Sequence, residues 1–481
     1  MTEKKHVNRV VTNTVSLIFA RILQPLISFA IILLIARILG KKGLGAYSFI
    51  LSYILLFQII ASLSFTNLVA REISINKNLS GRYLANAGFV GLLFGIFLQI
   101  FLLVLIKLLA VEPLLSRAIF YTSFSILASA LIGVGEGIFT GHEKLYLIAL
   151  TQTIENLTRA IISVILLLYG YGVFELMLVY LGCRFLSFFI YSFFLVKIIP
   201  DIHFRVNFYF IRDFLKKLQT FILIIVFVTI YWRLDILMLT KMDGTVASGI
   251  YSAAYRLFQI FIIIPQSFVY SLFPIIAKKF NNERTSLQET VERGIRYLLF
   301  FSIPVTIIMI VLAKPLVLLL YGEKFIQSVT VLEILMLTII PYSITVMMGY
   351  TLVASNLQKY DMMINGASVL VNATLNYFLI SRYGYNGAAA ATFLSICFYL
   401  TFQYPVVRKF LFNIYFGKYV FKPLIASVFV GGGLYFLKNW NVIINFGIGI
   451  VFYFGILYIL SYFDENEKSY FKHLVLALRK L

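Results

Sequence analysis

Apolar runs of about twenty residues recur along the whole chain, separated by short polar stretches, and the apolar positions within them do not alternate with period two. Each run is long enough to cross a hydrocarbon core of roughly 30 Å as a helix. The missing alternation excludes a membrane barrel. The pattern predicts fourteen spans, at 12–37, 44–66, 85–108, 117–140, 146–169, 173–196, 217–240, 247–276, 294–313, 328–353, 362–381, 387–407, 420–437 and 442–462. An even count places both termini on one side. If that side is the cytoplasm, and residues within three positions of a span end are counted with the adjoining side, 26 of the 41 Lys and Arg residues are cytoplasmic, 10 are outer and 5 lie deep inside spans. This is the positive-inside bias, and it predicts that both ends are cytoplasmic.

Composition agrees: 61% of the 481 residues are hydrophobic and 13% charged, with a mean hydropathy of +0.94. These values lie far from the soluble norm and identify an integral membrane protein. The net charge of +21 is scattered through the loops, so topology accounts for it and no nucleic-acid partner is implied. The N-terminus "MTEKKHVNRVVTNT" is basic but shows no small-residue cleavage site after a short apolar core, so the first run reads as a retained helix. Cys183 and Cys397 lie inside apolar runs and read as small packing residues. The longest cytoplasmic connections join spans 6 to 7 and 8 to 9, and no segment is left for a soluble domain.

Internal repetition is the next signal. "LGAYSFILSY" at 44–53 resembles "SGIYSAAYRL" at 248–257, offset by 204, and "NLVAREI" at 67–73 resembles "PIIAKKF" at 274–280, offset by 207. Further on, "GHEKLYLIALTQTIENLTRAIISVILLLYGYG" resembles "SNLQKYDMMINGASVLVNATLNYFLISRYGYN", whose Tyr-Gly-Tyr ends are offset by 214. Three matches in one order with slowly rising offset imply two six-helix halves and an unrepeated pair. An even number of helices per half makes the repeats parallel, around a central cavity. The expected divisions are 1–200 for the first lobe, 201–410 for the second, and 411–481 for spans 13 and 14 with a cytoplasmic tail.

"NTVSLIFARILQPLISFAIILLIARILGKKGLGAYSF" resembles the opening of the lipid-linked oligosaccharide flippases of the MOP superfamily, the polysaccharide-exporter or O-antigen-flippase branch. "LDILMLTKMDGTVASGIYSAAYRL", "IPQSFVYSLFPIIAK" and "LVNATLNYFLISRYGYNGAAAATFLS" are similar to that family's helices 7, 8, 11 and 12. The resemblance covers roughly residues 10–410; where many members carry Asp-Leu-Gly at the end of helix 2, this chain reads "SLSFTNLVARE". It implies an all-α polytopic membrane protein of two lobes working by alternating access. It also implies transfer of a polyprenyl-diphosphate-linked or related glycan to the outer leaflet of the plasma membrane, for cell-surface polysaccharide synthesis.

Arg21, Arg159, Arg184, Arg233 and Arg256 fall well inside predicted spans. Each costs about 2.5–3.5 kcal/mol at a helix centre on insertion scales, so each needs a compensating environment. A water-filled cavity supplies one, and guanidinium groups suit a diphosphate, which they hold bidentately. The resemblance puts the helices of Arg21, Arg233 and Arg256 along the cavity. Against this, Arg233 is about eight residues from the outer end of its span, roughly 12 Å, within reach of snorkelling. Arg159 follows Glu155 at i+4, the spacing of an ion pair within one helix, and Arg184 has no acidic residue near it in sequence. Asp235 lies two residues from Arg233, on a different helical face, so the two need separate partners. It reads as an ion-coupling residue for a proton or Na⁺, as a counter-charge in the cavity, or as an ion-pair partner of Arg256.

Pro25, Pro265 and Pro341 inside spans permit bending or local packing, and "GGG" at 431–433 and "NGAAAA" at 386–391 read as sites of close helix approach. There is no Walker motif and no His, Cys, Asp and Glu set with metal-ligand spacing, so the chain reads as a transporter without a metal or cofactor, not an enzyme. Its expected partners are a lipid-linked oligosaccharide, membrane lipid and glycan-assembly proteins. The alternatives are a cation-coupled multidrug exporter of the same superfamily, a lipid II flippase, and a membrane-embedded glycosyltransferase or polymerase, whose large outer loop is missing here.

Overall fold

The structure, a computed structural model, describes the backbone of residues 2–199, 207–282, 284–437 and 441–462. Within these it describes all side chains except those of 2–23, 220, 221, 223, 224, 228, 281, 282, 284, 285 and 443. The described residues are helical throughout, without a strand. In order the helices are α1 (Thr2–Ile75), α2 (Ser80–Leu108), α3 (Pro113–Ser123), α4 (Ser125–Gly141), α5 (Leu145–Leu168), α6 (Val173–Ile198) and α7 (Phe208–Tyr231). They continue as α8 (Leu234–Asn282), α9 (Arg284–Tyr321), α10 (Ser328–Leu337), α11 (Ile339–Ala354), α12 (Gln358–Phe410), α13 (Gly417–Phe436) and α14 (Val442–Ile459).

Nine helical stretches among the described residues are long and apolar enough to cross a membrane. Three helices are broken inside: α1 at Gly40, α8 at Gly244 and α12 at Gly384. Each break sits between two predicted spans, and α3 with α4, like α10 with α11, shares a single predicted span. The count of fourteen spans is an expectation of the sequence.

Left-handed backbone recurs in pairs. Gly244 (φ 85°) follows Gly40 (φ 66°) by 204 residues, and Gly322 (φ 82°) follows Ala110 (φ 45°) by 212. Asn356 (φ 58°) follows Glu143 (φ 59°) by 213, and Gly384 (φ 54°) follows Gly170 (φ 81°) by 214. The turns at Phe124, between α3 and α4, and at Thr338, between α10 and α11, are also 214 apart. The left-handed offsets, 204, 212, 213 and 214, rise along the chain as the sequence matches do, so the two halves share one plan of helix ends and kinks. Among the described residues, only Ser461 (φ 50°), after α14, has no counterpart. The Thr338 turn also places Pro341 in the first turn of α11, where a missing N–H costs little.

Two compact units are present, Met1–Ser252 and Ala253–Leu481. The lobe division at 200 and 410 follows the repeats rather than these contacts and stays a proposal. In the first unit, α4 packs on the second arm of α1 through Gly133, Gly137 and Gly141, spaced one helical turn apart. A Cβ on Gly133 would lie 2.5 Å from the Ser62 carbonyl oxygen, and one on Gly141 2.6 Å from Ile73. Thr66 Oγ1 donates to the Gly133 carbonyl at 3.0 Å. Small residues at a helix crossing are how membrane helices approach closely where lipid leaves no hydrophobic drive between them. Polarity follows the same logic: α2 exposes Leu93, Phe97, Ile100, Phe101 and Val104 and buries Asn86 and Gln99. In the second unit, α13 and α14 pack on α9 through Ala426, Val430, Leu434 and Tyr453 against Ile308 and Leu312.

Candidate functional site

The glycine crossing of α1 and α4 leaves Glu136, between Gly135 and Gly137, inside the first unit. Its Oε1 accepts from Tyr191 Oη of α6 at 3.0 Å and from Gln152 Nε2 of α5 at 3.1 Å. Gln152 Oε1 in turn accepts from Gln24 Nε2 of α1 at 3.0 Å. A second carboxylate lies one turn further along α5: Glu155 accepts from Ser187 Oγ and pairs with Arg184 Nη1 at 3.2 Å. Arg184 Nε also donates to Ser129 Oγ of α4 at 2.9 Å. Beside them Arg159 Nη2 donates to Asn156 Oδ1, and the guanidinium lies 5.5 Å over the Tyr180 ring. Tyr180 Oη donates to Gln58 Oε1 at 2.6 Å, and Gln58 Nε2 to Ser125 Oγ at 2.7 Å. Four helices thus close on a polar network holding two carboxylates and two guanidinium groups.

The partner expected from spacing is wrong. Glu155 pairs not with Arg159 at i+4 but with Arg184 from the next helix, and Arg159 turns to Asn156 and Tyr180. A side chain between packed helices is aimed by the neighbour that excludes lipid, which outweighs the few tenths of a kcal/mol of a surface i, i+4 pair. Arg184 is 20% and Glu155 8% exposed, so the pair is internal and self-compensating. Arg159 Nε, by contrast, is buried and has no hydrogen-bond acceptor among the described residues. Of the two, Arg159 is the guanidinium with capacity left for an anion.

The stretch holding Arg233 is also not a continuous helix. α7 ends at Tyr231 and α8 begins at Leu234, with Trp232 and Arg233 in a turn closed by Arg233 N donating to the Ile230 carbonyl at 3.0 Å. Arg233 therefore sits at a break within the predicted span. Asp235 occupies the first turn of α8, where a carboxylate is favoured by the helix dipole. It is buried and accepts from Tyr251 Oη at 2.9 Å. Arg256 is half-buried and donates to Gln259 Oε1 at 3.2 Å. The Arg21 side chain lies outside the described residues; its place in α1 is one turn before Gln24.

Glu136, Gln152 and Tyr191 are absent from the sequence candidates, although an acid inside "IGVGEGIF" is a readable signal. So is Asp361 in the second unit, whose Oδ1 accepts from Tyr399 Oη at 2.8 Å and Gln403 Nε2 at 2.7 Å. Among the described residues no three His, Cys, Asp or Glu side chains converge as metal ligands.

The family model described as polysaccharide biosynthesis protein matches residues 10–280, and that of MatE matches residues 221–378. A curated relative, the probable low-salt glycan biosynthesis flippase Agl15 of Haloferax volcanii, is 25% identical over 234 residues, 47% of this chain and 49% of that protein. The chain thus spans about half the length of the curated relative it matches. Among solved structures, lipid II flippase MurJ in an inward closed conformation has a TM-score of 0.78 at 20% identity, covering 94% of this chain and 98% of that one. An inward-facing multidrug resistance MATE family transporter of the MOP superfamily has a TM-score of 0.69 at 13% identity, covering 80% and 94%. These likenesses show the fold.

Proposed function

Because the chain belongs to the polysaccharide biosynthesis protein family, we propose that it is an alternating-access flippase carrying a polyprenyl-(di)phosphate-linked oligosaccharide from the cytoplasmic to the outer leaflet of the plasma membrane. The observation that carries the reading to residues is Arg159: a half-buried guanidinium on a polar network, with a buried Nε that has no acceptor among the described residues. Arg21, Arg233 and Arg256 are proposed to share the diphosphate with it, and Arg184 to hold Glu155 instead. Both termini are placed in the cytoplasm, where glycan-assembly proteins would meet the loops. For Asp235 we propose binding of a proton or Na⁺ that drives the cycle.

The test is flipping of a fluorescent polyprenyl-diphosphate oligosaccharide in proteoliposomes at matched folded protein. Arg159→Ala is expected to lower the rate about tenfold to a hundredfold, the worth of one charge-assisted hydrogen bond set at roughly 1.5–3 kcal/mol. Arg233→Ala should lose transport as well, and Asp235→Asn should lose its response to a proton or Na⁺ gradient. The MatE match at residues 221–378 favours a second reading, a cation-coupled small-molecule exporter. Absence of flipping by wild type with several glycan headgroups under imposed ion gradients would move the assignment there.

A further inference from the structure

At one end of the second unit, the start of α13, the end of α14 and the first third of α9 enclose a cavity of about 370 Å³. That size falls in the range of small-ligand sites. Four cations, Arg293, Arg296, Lys418 and Lys422, line it with two carboxylates, Glu289 and Glu292. The carboxylates are engaged: Glu292 accepts from Tyr419 Oη at 2.7 Å and from Gln288 Nε2 at 2.8 Å, and Glu289 lies 3.8 Å from Arg293. Arg296 is fixed over the Tyr462 ring at 4.8 Å and donates to the Tyr462 carbonyl at 2.7 Å. Lys422 donates to the Ser461 carbonyl at 3.1 Å. Among the described residues, neither Lys418 nor Lys422 has a carboxylate within ion-pair distance.

The surroundings identify what fills such a cavity. From its rim, α13 presents exposed Phe421, Leu424, Val428 and Phe429 along its length, and α14 presents Phe452 and Ile459. Val428 is ten residues beyond Lys418, about 15 Å along the helix axis. A cationic pocket at the ends of spanning helices, continued by apolar strips facing outward, matches a molecule with an anionic head and acyl chains. In the orientation proposed above from the charge count, this end lies on the cytoplasmic face, where the leaflet is rich in anionic lipid.

We propose that this pocket binds the headgroup of an anionic phospholipid, with Lys418 and Lys422 on the phosphate, Tyr419 and Tyr462 at the glycerol level, and the acyl chains along α13 and α14. The site is separate from the polar network of the first unit, and its test does not involve transport.

Purified full-length protein, stripped of lipid in detergent, would be titrated with fluorescent phosphatidylglycerol, with phosphatidylcholine, and with inorganic phosphate. Saturable phosphatidylglycerol binding is expected, at least about tenfold tighter than phosphatidylcholine. Lys418→Gln with Lys422→Gln should weaken it about 30-fold, since each surface lysine contributes roughly fivefold to anionic-lipid binding. A control pair on exposed lysines elsewhere, Lys216→Gln with Lys409→Gln, should change it less than about threefold. Both pairs are exposed substitutions, and size-exclusion profiles would confirm folding. Equal binding of the two lipids, equal losses in the two variant pairs, or displacement of the fluorescent lipid by inorganic phosphate as effective as that by unlabelled phosphatidylglycerol would each overturn the proposal.

Discussion

Gly249→Ala is expected to destabilise the protein by about 3 kcal/mol, the upper part of the overpacking range, and to suppress transport at matched folded protein. A Cβ on Gly249 would lie 2.0 Å from the Lys41 carbonyl oxygen, and one on Gly45 1.7 Å from the Thr245 carbonyl oxygen. The obstacle in each case is backbone, which cannot rotate aside as a side chain can. The contact is reciprocal: Gly249 follows Gly45, and Thr245 follows Lys41, by the same 204 residues that separate Gly40 from Gly244. Equivalent positions of the two repeats therefore meet each other inside the first unit, as residues on a two-fold axis do. Gly45→Ala should reproduce the effect of Gly249→Ala in thermal unfolding and in flipping, whereas Gly432→Ala, with open space around its Cβ position, should change both little. A silent Gly249→Ala would mean that the helices separate there at no cost.

The second large effect is expected at the internal ion pair. Glu155→Gln should lower stability by roughly 3–5 kcal/mol, because it leaves the Arg184 charge without its counter-ion where only 20% of that side chain is exposed. Replacing both residues together by methionine should bring stability back to within about 1 kcal/mol of wild type, since the desolvation of both charges disappears along with their attraction. Denaturant unfolding in micelles measures both variants. Flipping by the double variant then separates roles: retained transport leaves Arg184 as a structural partner, and lost transport in a stable double variant would put Arg184 on the substrate.

The repeat was legible at offsets of 204, 207 and 214, because kinks and helix ends need particular backbone chemistry and those residues recur. Glycine at 40, 170, 244 and 384 supplies left-handed backbone that other residues resist. The membrane class was legible too, since helices that face lipid must be apolar whatever they pack against. Partner choice was not. Glu155 and Arg159 satisfy the local spacing rule, yet Glu155 goes to Arg184 from another helix. Arg233 and Asp235 look like two charges within one continuous span, yet a turn separates α7 from α8 beside them. Nothing local marks that turn, because "YWRLD" contains neither glycine nor proline.

Hydropathy and backbone permissiveness are properties of individual residues and short windows, and they suffice to define a helical, multi-pass membrane protein built from two related halves. That Glu136 and Glu155 join Gln24, Tyr180 and Arg184 in one network, and that Gly45 meets Gly249, follows from the packing of the helices in three dimensions. In a lipid-facing chain, the polar groups are satisfied by whichever helix packs closely enough to exclude lipid, and which helix that is depends on contacts between residues more than a hundred positions apart.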